Sequence, residues 1–286
     1  MRGGCAGGML SPDVEHGAIM TAESRRRARR RPHQAILLPG AVLPARLAYE
    51  ALSEALAGHD VDAVAKDLEL YGSEQPPPGY SLDLEIEGVL QAADEAGFER
   101  FHLVGYSGGG AGATAFAACH GDRLRSLALL EPAWIGNDGQ SAEERRVWRD
   151  LGEIMALTPD QLLTEFVRMQ VAPGVEPPPP PPGPSPPWMA KRPAGLQALV
   201  AAFADHQLEA DHLRGFGRPV YYALGALSNQ DLYGRMADRA ARTFGDFTLE
   251  VFEDRHHFDP PHRAEPKRLA RSLRALWARS DDALTG

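Results

Sequence analysis

RFHLVGYSGGGAGATAFAACHG (residues 100–121) runs an apolar strand into a cluster of glycines and then into small, helix-tolerant residues. Two motifs overlap in it. Gly105-Tyr106-Ser107-Gly108-Gly109 fits the G-x-S-x-G turn, which presents a nucleophilic serine on a sharp strand-to-helix bend. Small residues flank that serine because the bend leaves no room for side chains. Gly108, Gly110 and Ala113 fit the G-x-G-x-x-G/A loop that cradles a dinucleotide pyrophosphate. Glu131, about 20 residues further on, falls where that second fingerprint wants an acid for the ribose hydroxyl. Chain order weighs for the nucleophile. The dinucleotide loop normally opens the first βαβ unit and follows its strand directly, whereas two strand–helix units precede this one and Gly105-Tyr106-Ser107 intervenes.

Working outward, apolar strands alternate with helical patterns. "QAILLPG" from Gln34 is a strand, "PARLAYEALSEALAGH" a helix, "DVDAVAKDLELYG" a strand with its loop. "SLDLEIEGVLQAADEAGF" opens at Ser81 as N-cap and stops at Gly97. After the glycine-rich helix comes the strand "RLRSLALLEPAW". The rhythm then breaks over residues 138–212, which are helical in pieces around a proline-rich loop at 173–188. Proline fixes φ and lacks an N–H donor, so this loop is neither helix nor central strand. It reads as a surface polyproline linker, with an SH3-type ligand as the lesser alternative. Its place inside an insertion between two strands suits a cap over a pocket. From 213 the alternation resumes and ends in "AEPKRLARSLRALWARS". Such alternation predicts an α/β fold with a mostly parallel, doubly wound sheet. The expected division is an α/β core of 34–137 and 213–286, a helical cap of 138–212, and an Arg-rich tail of 1–33 without a clear element.

Composition narrows the classes. Hydrophobic residues make up 43% and charged residues 24% of 286, which suits a soluble globular protein. A net charge of −9 argues against a nucleic-acid binder as a whole. No apolar run is long enough to span a bilayer. The basic stretch before "QAILLPG" loosely resembles an export signal, but its apolar part is broken by Pro39 and Gly40 and reads better as a buried strand. Two cysteines, Cys5 and Cys119, make no disulfide framework and suit a reducing, cytoplasmic setting; Cys119 is expected to pack in its helix.

Acyl transfer by serine needs a base, an acid to orient the base, and N–H donors for the oxyanion. "EDRHHFDPPHRAEPKRLARSL" (253–273) supplies histidines between the last strand and the last helix, where the elbow architecture holds its base. Here the chain resembles the α/β-hydrolase superfamily: His257-Phe258 is similar to the family's His-Phe pair, and the Glu-Pro and apolar helix beyond are similar to its ending. The resemblance covers roughly Gln34 to the C-terminal helix apart from the cap. It implies a mostly eight-stranded sheet with the cap between the sixth and seventh canonical strands, Ser107 as nucleophile and His257 as base, with His256 as nearest rival. It further implies the Ala41 and Gly108 N–H groups as oxyanion donors. The His256, His257 and His262 cluster lacks a second compact ligand group, so no metal is expected.

Three departures from the family stand out. The loop after the first strand is Pro39-Gly40-Ala41 where the family usually has His-Gly. The two antiparallel strands that usually open the fold are not evident in residues 1–33. The usual aspartate after "YYALG" is absent, with Ser228 and Asn229 in its loop and Asp231 slightly late. Some members, haloalkane dehalogenases among them, carry the acid after the strand that follows the elbow helix, and Glu131 matches that position. Glu131 is therefore the preferred acid and Asp231 the alternative. Dehalogenation is disfavoured because it needs an aspartate nucleophile where Ser107 stands. In the cap, His206 and His212 read as solvated, and Trp134, Trp148, Trp188 and Phe203 as candidate lining of an apolar pocket.

The expected function is a cofactor-free serine hydrolase acting on an ester, thioester or lactone of a small, largely apolar molecule. The alternatives are an NAD(P)- or FAD-binding oxidoreductase using Gly108, Gly110 and Ala113, and a hydrolase-like protein that binds a ligand without turning it over.

Overall fold

The computed structural model describes residues 32–179, 182–208 and 210–282, so nearly all of the basic tail, with Cys5, lies outside the described residues. In chain order the main elements begin with β1 (His33–Leu38), α1 (Ala45–Ala48), α2 (Glu50–Leu56), β2 (Val61–Ala65), α3 (Leu82–Glu95), β3 (Phe101–Tyr106), α4 (Gly108–His120) and β4 (Leu124–Leu130). The cap region adds α5 (Ala142–Met155), α6 (Pro159–Met169), α7 (Arg192–Asp205) and α8 (Ala210–Arg214). The core closes with β5 (Val220–Gly225), α9 (Arg235–Thr243), β6 (Phe247–Phe252), α10 (Pro261–Ala264) and α11 (Pro266–Asp282).

All six strands run parallel in the order β2-β1-β3-β4-β5-β6. The expected eight strands are thus six among the described residues. Composition sets each strand's place. β1, β3, β4 and β5 are nearly continuous apolar runs, as strands covered on both faces must be. β2 and β6 carry exposed polar residues and take the edges.

Alternation along the strands divides the core. Ile36, Leu38, Leu103 and Leu129 pack with α3 and α4, while Ala35, Leu37, Val104 and Leu130 pack with α2 and α11. Helices cover both faces, as in a doubly wound sheet. Two boundaries differ from those the sequence predicts. His33 belongs to β1, because it pairs with Val61 of β2 and its N–H donates to the Asp60 carbonyl at 2.8 Å; its Nδ1 also lies 2.7 Å from the Asp281 carboxylate at the end of α11. The helix after β1 is broken at Tyr49, whose buried hydroxyl donates to the Leu38 carbonyl at 2.7 Å. Cys119, expected to pack, lies on the solvent side of α4.

The cap helices enter between β4 and β5. Their apolar residues, Val147 and Leu151 of α5, Phe166 of α6 and Leu199 and Phe203 of α7, join the same core cluster as the α3–α4 face of the sheet. A capping box at Ser141 and Glu144 starts α5. Glu144 also accepts from Arg239 of α9 at 2.9 Å, and the same guanidinium donates to the Ile135, Gly136 and Asp138 carbonyls. This buried pair bolts the first cap helix to the core. Among the described residues no helix is long and apolar enough to cross a membrane.

Candidate active site

β3 ends at Tyr106 and α4 begins at Gly108, so Ser107 alone makes the turn. Its backbone takes φ 50° and ψ −118°, a left-handed conformation that non-glycine residues rarely adopt. The Ser107 N–H donates to the Leu130 carbonyl at 3.2 Å, and the Ala133 N–H donates to the Ser107 carbonyl at 2.8 Å. These bonds across β4 hold the bend that lifts the hydroxyl above the ends of the strands.

The neighbouring glycines are filled by the protein's own backbone. A Cβ on Gly109 would lie 2.5 Å from the Pro39 carbonyl oxygen, and one on Gly110 would lie 2.7 Å from Pro132 Cα. The Gly109 N–H already donates to Pro39 at 2.9 Å. This leaves no cradle for a pyrophosphate, so the dinucleotide reading of Gly108, Gly110 and Ala113 has no support in the structure. A Cβ on Gly112 would meet nothing nearer than 3.4 Å, so the close approach of this helix falls on Gly109 and Gly110.

His257, in the loop after β6, reaches back over the turn. Its Nε2 is 3.0 Å from Ser107 Oγ, and its Nδ1 is 3.0 Å from Glu131 Oε2. The second Glu131 oxygen accepts the Gly225 N–H at 2.7 Å. Ser107, His257 and Glu131 are 7%, 2% and 3% exposed, so water competes weakly for these bonds. Glu131 also has a left-handed backbone, at φ 44°. Tyr106, the variable residue of the G-x-S-x-G turn, donates its hydroxyl to the His257 carbonyl. Burial raises the Tyr106 pKa well above its ordinary value, which keeps it a donor.

The other candidates fall as follows. Ala41 and Gly108 lie side by side, with a Cβ on Gly108 only 3.5 Å from the Ala41 nitrogen. Neither N–H has a partner among the described residues. Asp231 does not meet His257; its 42% exposed side chain pairs with Arg146 of α5. His256 accepts the Phe258 N–H at 3.2 Å. His262 is packed between Tyr49 and Tyr106, and burial lowers its pKa to about 3. Trp148 and Phe203 line a cavity at Ser107, whereas Trp134 stacks on Phe203 within the core and Trp188 is not in that lining. His212 is exposed, and His206 is half-buried beside Trp134.

Two residues at the site lack a signal in the sequence. Tyr233 stacks on His257 with ring centroids 4.5 Å apart, and its hydroxyl lies 3.1 Å from Nε2. That hydroxyl also bonds the Gln170 side chain at the end of α6. Tyr233 sits on a π-helical turn, Gln230–Gly234, which shifts the helical phase and hides it from any 3.6-residue periodicity.

Among the described residues, two cavities open at Ser107, one of about 320 Å³ and one of about 30 Å³. The larger is mostly apolar and takes Pro178 and Pro179 from the proline-rich loop into its wall. A groove of about 810 Å³ between α5, α6 and the 171–177 segment is lined by Arg146, Asp150, Arg168 and Asp231 and touches none of Ser107, Glu131 or His257. One group among the described residues has metal-ligand spacing: His33, His102 and Asp281. Its carboxylate is already taken by His33 and by Arg125 at 2.8 Å, so it reads as a charge network joining α11 to the sheet.

A parallel sheet with a serine on the left-handed turn after its middle strand, a histidine after its last strand and helices inserted after β4 defines a hydrolase of the α/β type. The chain belongs to the alpha/beta hydrolase family, whose sequence profile matches residues 35–272. Similar solved structures include an esterase from Thermogutta terrifontis, at 19% identity over 87% of this chain and 90% of that one, with a TM-score of 0.64. An esterase from Exiguobacterium antarcticum has 18% identity over 86% and 92% of the two chains, at 0.64. A bromoperoxidase from Bacillus anthracis has 17% over 86% and 91%, at 0.66. At these identities the likeness speaks for the fold. No curated protein matches the chain.

Proposed function

We propose that the protein is a serine hydrolase that cleaves an ester, thioester or lactone of a small, largely apolar molecule without a cofactor. The observation that carries this is the unbroken line Ser107 Oγ–His257 Nε2, His257 Nδ1–Glu131 Oε2, with 3.0 Å at each step, under an apolar cavity. The solved esterases of the same fold add to it.

In this reading Glu131 holds the Nδ1–H tautomer, which leaves Nε2 free to take the Ser107 proton. The Oγ bonds to the substrate carbonyl carbon, and the oxyanion is received by the free N–H groups of Ala41 and Gly108. The C–O or C–S bond to the leaving group breaks as Nε2 returns the proton to the leaving atom. Water then attacks the acyl-serine, with His257 again as base. The test is labelling by a fluorophosphonate probe in the wild type, Ser107→Ala and His257→Ala. Labelling confined to chains that keep Ser107, and weakened in His257→Ala, is the expected result. Labelling that survives Ser107→Ala would overturn the assignment. A ligand-binding protein without turnover would leave the wild type unlabelled.

A further inference from the structure

The two cavities at Ser107 are unequal, and the chemistry decides which part of a substrate each receives. Resting on the serine-hydrolase reading, the returning proton must travel from His257 Nε2 to the leaving atom. The leaving group therefore lies on the side of Ser107 that His257 lines. That side is the cavity of about 320 Å³, walled by Val42, Leu43, Phe258 and Pro260 as well as His257. The acyl part lies opposite, where Gly108, Ala133 and Tyr233 line the cavity of about 30 Å³ and His257 does not.

The smaller cavity has about a tenth of the volume of the larger, so it receives the smaller of the two groups and is the first to refuse a lengthening chain. Its walls do not yield easily. Leu199 of α7 stands directly over the turn, with its Cδ2 3.0 Å from where a Cβ on Gly108 would be. Phe203 is held from two sides, stacked at 7° on Trp134 and met edge-on by Trp148. From this partition we infer that the enzyme is specific for acetyl-sized acyl groups carried on a larger, apolar alcohol or thiol, with Leu199, Phe203 and Trp148 setting the acyl limit.

The experiment measures kcat/KM for 4-nitrophenyl esters with acyl chains of two, four, six and eight carbons, in the wild type, Leu199→Ala and the milder Leu199→Val. The expected result is a fall of about tenfold or more for each two-carbon step, the scale at which a filled pocket rejects added methylenes. Both variants should flatten that slope, Leu199→Ala more than Leu199→Val. In a companion series, the acetate of hexanol should exceed that of ethanol, two alcohols of similar basicity and different size. Equal rates for acetyl and hexanoyl esters in the wild type would overturn the inference. So would a preference for long acyl chains on small alcohols, which would reverse the partition. Methyl- and hexylphosphonates with one leaving group give the same ranking by labelling rate, independent of turnover. If Ser107 labels but accepts both equally, the size limit fails alone; if nothing labels Ser107, the serine-hydrolase reading fails and the inference with it.

Discussion

Replacing Glu131 by Gln keeps the size of the side chain and removes its charge, which isolates what the carboxylate contributes. Glu131 has two buried partners, the His257 ring at 3.0 Å and the Gly225 N–H at 2.7 Å. A carboxylate accepts from both. An amide cannot. With its oxygen toward Gly225, the NH2 group faces Nδ1 and forces the tautomer whose Nε2 carries the proton, useless as a base toward Ser107. With the amide reversed, two donors oppose each other at Gly225, at a cost of about 1–3 kcal/mol for the unsatisfied groups. Either way the imidazolium formed during reaction loses its counter-charge. A change of this kind lowers kcat by roughly 10⁴ in a serine triad, or about 5.4 kcal/mol at 1.36 kcal/mol per tenfold. Initial rates on 4-nitrophenyl acetate measure it, with a melting curve to show that the fold survives. Asp231→Asn should stay within about threefold of wild type, because its pair with Arg146 is exposed and such pairs are worth about 0–1 kcal/mol. If Asp231→Asn abolishes turnover while Glu131→Gln keeps it within tenfold, the geometric argument for Glu131 is refuted.

Stability should weaken on mild acidification. Burial lowers the His102 pKa to about 4 and that of His262 to about 3, so both stay neutral in the fold but take protons in the unfolded chain below about 6.5. Their contribution is complete above that value and is lost as pH falls toward 4 and then 3, at up to about 1.4 kcal/mol per pH unit for each; urea midpoints at pH 7, 5 and 4 should decrease in that order, and a flat series would contradict it. Gly110→Ala forces a Cβ to within 2.7 Å of Pro132 Cα and should destabilise by about 1–3 kcal/mol, whereas Gly112→Ala, with nothing nearer than 3.4 Å, should be neutral or stabilising in the same denaturation assay. Glu144→Ala strands the buried Arg239 cation and should cost about 3–5 kcal/mol; a loss below 1 kcal/mol would mean that the cap is not held by this pair.

The parts of the fold and site legible in the sequence are those set by local chemistry. The apolar runs of β1, β3, β4 and β5 announced themselves because strands covered on both faces must be apolar throughout. The turn at Ser107 was readable because its steric demand falls on adjacent residues. Glu131 stood out by its place at the end of the strand after the turn helix, where the family resemblance allows an acid. What escaped depends on contacts between distant segments. Nothing local says that Tyr49 should reach the Leu38 carbonyl and break a helix, or that Glu144 and Arg239 should meet across 95 residues. Tyr233 and Gln170 come together only when the cap folds down, and the π-helical turn at Tyr233 removes the periodicity that would have flagged it. Cys119 misled because its helix is apolar almost all round, so composition gave no clue to which side faces solvent.

Ser107 and Glu131 share a property that sets activity against durability. Both hold left-handed backbones, at φ 50° and 44°, which suit glycine and penalise every other residue by roughly 1–3 kcal/mol each. The two side chains at the centre of the proposed chemistry thus occupy two of the least comfortable places in the chain. Ser107→Gly should raise the melting temperature while removing the nucleophile. At 107 glycine would relieve the backbone and cost only the hydroxyl. At 131 it would also strip the Gly225 N–H and the His257 ring of their buried acceptor, so there the strain is offset by bonds that hold the fold as well as the site.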